Sequence, residues 1–173
     1  MTAESTAATS PAPHPWLRLA LVLVAALELL DALTSMHNIF TDYHHETAYL
    51  RFAQALTSVQ LALAPFLTAA AFYFALRGRL RHAILALAAL ALMVWLLDDV
   101  PSFPIHGFEF SMSFGGMVVF AHHFAFPIAA LAGAALAWKD RRLALAGLLV
   151  SLPTIVKWVG VAVFTIAVMM YGF

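Results

Sequence analysis

WLRLALVLVAALELLDALTSMHNIF, residues 16–40, decides the fold. Its apolar residues run past the ~20 needed to cross a bilayer. Yet Glu28 and Asp31 stand inside it. A charge in hydrocarbon is costly and needs a partner or a function. The stretch therefore reads as a membrane span with one polar face. It is longer than the apolar segment of a secretory signal and lacks a basic stretch before it, so it is expected to be retained.

Four further apolar runs follow, at about residues 48–76, 80–100, 114–138 and 143–171. Short polar links join most of them, at 41–47, 77–81 and 139–142. The link at 101–113 is longer and carries Phe103, Phe108, Phe110 and Met112. That is too apolar for a freely solvated loop, and it is expected to lie in the interface as an anchor, or else to fold back as a lid over the outer polar cluster. The expectation is an all-α integral membrane protein, a bundle of five transmembrane helices over residues 15–173. Residues 1–14 are small, polar and proline-containing, and read as a disordered tail.

Composition agrees. The chain has 173 residues, 64% hydrophobic and 10% charged, with mean hydropathy +0.91. Soluble domains carry roughly 25% charged residues, so lipid is the expected surroundings. Net charge is zero and no long basic tract exists, which argues against nucleic acid as a partner. There is no cysteine, so disulfides and thiolate metal sites are excluded.

Basic residues set the orientation. Arg77, Arg79 and Arg81 lie in the second link; Lys139, Arg141 and Arg142 lie in the fourth. The positive-inside rule puts both in the cytoplasm. Arg18 agrees, so the N-terminus is expected inside and the C-terminus outside. The localisation that follows is multi-pass, in a bacterial cytoplasmic (inner) membrane. Six of the eight histidines then fall in the outer half, together with Asp31, Asp98 and Asp99.

Two polar constellations carry the functional expectation. In the first hairpin, Glu28, Asp31, Ser35 and Asn38 share one helical face by their spacing. So do His44, Thr47, Arg51, Gln54 and Ser58. With the hairpin apex near Thr41, Asp31 is level with Arg51 and Glu28 with Gln54. Asp31–Arg51 is the expected ion pair, either for packing alone or as part of a proton path. Lys157, near the middle of the fifth span, is the remaining cation for Glu28. Without such a partner, Glu28 is suited to carrying a proton.

The second constellation is His44-His45, Asp98-Asp99 and His122-His123. Adjacent helical residues diverge by ~100°, so one of each pair is expected to face inward. His44, His122 or His123, and Asp98 or Asp99 form a candidate three-ligand site. Imidazole and carboxylate without thiolate suit Cu, Zn or non-haem Fe; two facing histidines suit haem.

The leading expectation is an outward-facing His/carboxylate site holding a metal or haem for redox chemistry, metal handling or complex assembly. The first alternative is a proton- or cation-coupled transporter using Glu28, Asp31, Arg51 and Lys157. The second is an accessory subunit whose charges only specify packing. Enzyme activity is left open. The short chain favours a homo-oligomer or a partner membrane subunit. Pro65, Pro127 and Pro153 fall inside spans and each frees a backbone carbonyl. Gly133, Gly147 and Gly160 suggest close helix contacts.

Overall fold

The computed structural model describes residues 15–40, 47–106 and 114–172. The elements are α1 (Pro15–Ser35), α2 (Ala48–Leu76), α3 (Leu80–Val94), α4 (Val100–His106), α5 (Phe114–Phe120), α6 (Phe126–Trp138) and α7 (Leu143–Tyr171). A 3₁₀ turn, Met36–Phe40, extends α1. Two π-helical turns, Trp95–Asp99 and Ala121–Ala125, join α3 to α4 and α5 to α6. No strand occurs among the described residues. Five helical stretches are long and apolar enough to cross a membrane.

The span boundaries follow the sequence reading except at the third. That run was expected to end at about residue 100. Instead the chain continues helically to His106. Pro101 falls just beyond the π-helical turn that joins α3 to α4, and the helix runs on through it. The expected interfacial link therefore shrinks to residues 107–113, which lie outside the described residues, as do residues 1–14.

Each turn at the basic end has a local cause. Gly78 takes φ +72° between α2 and α3, a conformation that glycine adopts without penalty. The Arg18 guanidinium on α1 donates to the carbonyl of Leu76, an orphan acceptor at the C-terminus of α2. Arg77 lies over the Tyr73 ring and Arg81 over Trp138. The cations of α1, α2, α3 and the α6–α7 link thus gather at one end of the bundle.

Helix α3 is central and packs on α1, α2, α6 and α7. The bundle half nearest the basic end is filled by small and aliphatic residues, among them Ala25, Ala71, Ala83, Ile84, Ala88, Ala137, Ala146 and Val150. Alanine lets backbones approach closely, which drives helix association where water cannot. Toward the other end only Ala32, Ala64 and Leu90 form a second small cluster. Packing is therefore dense on one side and open on the other.

Gly133 marks the closest approach. A Cβ there would lie 2.7 Å from Val150 Cγ1 and 3.0 Å from the Ala146 carbonyl oxygen. Gly147 is similar, 2.9 Å from Leu17 Cδ1. Gly160 differs from the expectation, because a Cβ there meets nothing within 4 Å. Gly→Ala in a helix interior gains up to ~1 kcal/mol of backbone propensity, whereas overpacking costs ~1–3 kcal/mol. Gly133→Ala should therefore lower the unfolding midpoint in detergent, a net loss of about 1–2 kcal/mol. Gly160→Ala should leave it unchanged or raise it. Equal effects at the two positions would contradict the packing described.

Candidate functional site

The open half of the bundle holds a cavity of about 600 Å³. Every span contributes to its wall. The first gives Glu28, Asp31 and Ser35, and the second gives Gln60 and Thr68. The third gives Trp95, Asp98 and Asp99, the fourth His122, and the fifth Lys157. Leu87, Leu90, Val94 and Phe126 supply apolar wall between them. Four carboxylates thus share one space with one ammonium and one imidazole.

The first expected ion pair is corrected here. Asp31 is bound by Lys157, whose ammonium donates to Asp31 Oδ2. Arg51 is exposed and lies off the cavity. Depth along a hairpin fixes height but not rotation. Helix α2 turns its alanine-rich face inward, with Ala53, Gln60, Ala64, Thr68, Ala71 and Ala75 buried. The stripe through Arg51, Gln54 and Ser58 is left to the side, and the Ser58 hydroxyl is satisfied by its own helix at the Gln54 carbonyl. On α1 the expected face holds for Glu28, Asp31 and Ser35. Glu28 lines the cavity and makes no hydrogen bond or ion pair among the described residues.

The second constellation is assembled in part. Asp99 Oδ2 lies 3.5 Å from His122 Nε2, a charge contact longer than a well-formed hydrogen bond. Asp98 accepts a hydrogen bond from Thr57 Oγ1 at 2.9 Å. Both aspartates line the cavity, where only one was expected to. His123 turns away. Its Nδ1 is 2.8 Å from the Val119 carbonyl oxygen, and its ring packs on Phe103. His44 lies outside the described residues. Among the described residues no group of three His, Asp or Glu side chains is placed to hold a metal.

The charged pairs share a backbone feature that the sequence reading missed. Asp98-Asp99 and His122-His123 each sit in a π-helical turn. Such turns are rare and concentrate at functional sites. A proline stands two residues beyond each turn, Pro101 and Pro127. Proline has no N–H to give the residue four before it. For Pro127 that residue is His123, and Trp95 Nε1 donates to the His123 carbonyl at 2.8 Å. The indole of the third span thus fills the bond that Pro127 leaves open in the fourth. Pro101 in turn offers its own carbonyl to the Tyr49 hydroxyl at 2.7 Å. Proline spacing was the legible signal; the donors on other helices, Trp95 and Tyr49, were not.

No protein-family model, curated protein or solved structure gives a significant match to this chain.

Two outcomes follow from these contacts. The Asp31 and Lys157 side chains keep 33% and 44% of their surface accessible, so their pairing is worth less than a sealed one. Interhelical polar contacts in membranes average ~0.6 and reach ~1.7 kcal/mol. Lys157→Met or Asp31→Asn should each destabilise by about 0.5–2 kcal/mol. The exchanged pair, Asp31→Lys with Lys157→Asp, should recover most of that loss, and Arg51→Ala should cost nothing measurable. Denaturation of purified protein reads all four, and loss on Arg51→Ala alone would reinstate the hairpin pair.

Trp95→Phe should cost about 1–3 kcal/mol, because it strands a part-buried carbonyl. In a Pro127→Ala background, where an N–H is restored, the same change should cost at most half as much. Additive effects in that double-mutant cycle would mean that Trp95 does not serve the acceptor freed by Pro127.

Proposed function

We propose that this chain is a cation-binding, proton-coupled transport protein of a bacterial cytoplasmic membrane, with its basic end in the cytoplasm. One observation carries the reading: four carboxylates from two spans line one cavity of the bundle together with a single lysine and a single histidine. Ionisable groups inside a membrane mark ion and proton paths by default. A surplus of acid over base disfavours an anionic ligand and is relieved by a cation or by protons. The chemistry is exchange. A cation entering the cavity replaces a proton on a carboxylate, and the proton leaves as the cation is held. Asp99 with His122 is the pair suited to passing that proton, since both groups can hold it. Asp31 with Lys157 holds the first span to the fifth beside the ligand space.

A metal centre is the second reading. The 3.5 Å approach of Asp99 to His122 favours it. Its metal, Cu, Fe or Zn, would be found by elemental analysis of the purified protein.

Proteoliposomes carrying a pH gradient test the leading reading. Added salts from a panel of alkali-metal and organic ammonium chlorides should discharge the gradient faster than in protein-free vesicles for at least one cation. Glu28→Gln and Asp99→Asn should each slow that discharge tenfold or more, while Arg51→Ala should not. No cation-dependent discharge, or full activity in both carboxamide variants, would overturn it.

A further inference from the structure

Among the cavity's polar groups, Gln60 stands apart. The residue is only 9% exposed, yet it lines the cavity. It makes no hydrogen bond among the described residues. A primary amide offers two donors and one acceptor with two lone pairs. Thr68, next on the same face, differs: its hydroxyl is satisfied by the Ala64 and Pro65 carbonyls of its own helix. Gln60 therefore has its bonding capacity directed at whatever fills the cavity. Glu28, on the adjacent helix, is the cavity carboxylate with no partner among the described residues, while Asp31, Asp98 and Asp99 each have one.

We infer that the cavity binds an amphiphilic organic amine, its protonated N–H head held by Glu28 and Gln60 and its apolar body against Leu90, Val94 and Phe126. Three properties select this class. The head must be cationic, because Glu28 has no partner among the described residues and three further carboxylates line the same cavity. It must carry N–H, because the Gln60 carbonyl accepts a hydrogen bond and a quaternary ammonium has none to give. The body must be apolar and sizeable. A volume of about 600 Å³ lies within the ~300–1,000 Å³ of organic-ligand pockets and far exceeds the space of one metal ion. An anion is repelled, and a neutral molecule leaves Glu28 unpaired. The amide N–H₂ of Gln60 is then free to donate to Glu28, to an ordered water or to a hydroxyl on the ligand.

This inference rests on the cation-binding reading but not on transport. It is tested by equilibrium binding to the full chain in lipid nanodiscs, by calorimetry, with empty nanodiscs subtracted. The probes are 4-phenylbutylamine, 4-phenylbutanol and 4-phenylbutyrate, alike in body and different in head. The amine should bind saturably and the alcohol and acid should not. Gln60→Leu and Glu28→Gln should each weaken amine binding tenfold or more. Gln60→Glu keeps the acceptor and the side-chain length, so it should retain binding; Arg51→Ala should not change it. Retained binding in Gln60→Leu, or equal binding of amine and alcohol, would overturn the inference. So would loss of binding in a folded Gln60→Glu protein. Amine binding without gradient discharge would uphold this site and sink transport. Discharge driven by alkali cations with no amine binding would uphold transport and overturn this ligand class.

Discussion

Hydrocarbon does not tolerate a lone charge, and much of this bundle is arranged around that constraint. Asp31 on the first span and Lys157 on the fifth meet it together. Their contact joins the two ends of the described chain across the open half of the bundle. The dense half needs no such device, since alanine-lined helices there close on one another. Where packing loosens, polar side chains replace it. Thr57 reaches Asp98, His122 approaches Asp99, and Trp95 reaches the His123 carbonyl. Each contact links two spans. The cavity is the space these cross-links leave between them.

The backbone takes part in the same arrangement. Pro101 and Pro127 each withhold an N–H just beyond a π-helical turn, and those turns carry the aspartate and histidine pairs. A widened turn changes which side chains share a face. Asp98 and Asp99 both reach the cavity, although adjacent residues on a regular helix diverge by ~100°. At His122-His123 the division is sharp: one ring faces Asp99 and the other packs on Phe103. Carbonyls freed inside a membrane must find donors on protein, and Trp95 supplies one.

Much of this was legible in the residues. Long apolar runs fix five spans, and the helix bounds of the second, fourth and fifth match their runs. Spacing alone put Glu28, Asp31 and Ser35 on one face, and the cavity uses all three. What failed was rotation about the axis of α2. Its polar residues drew attention to the stripe through Arg51, whereas its inward face is mostly alanine and shows itself only through Gln60 and Thr68. Alanine is ambiguous in a membrane, because it suits lipid and helix contact alike. The partner of Asp31 failed for a related reason. Height along a hairpin ranks candidates on the neighbouring helix but is silent about a fifth span far away in sequence. The π-helical turns depend on where freed carbonyls find donors, which is a property of the assembled bundle.

The central claim is that an acidic cavity reachable by cations lies between the spans, and thiol accessibility tests it directly. The chain has no cysteine, so an introduced one is the sole thiol. Ala91 lines the cavity, whereas Leu63 is exposed on the outside of α2. Ala91→Cys and Leu63→Cys proteins in lipid would be treated with a cationic and an anionic methanethiosulfonate of similar size. The account predicts that Cys at Ala91 reacts, and faster with the cationic reagent by tenfold or more than with the anionic one, while Cys at Leu63 reacts with neither. An unreactive thiol at Ala91, or one modified equally fast by both reagents, would contradict it.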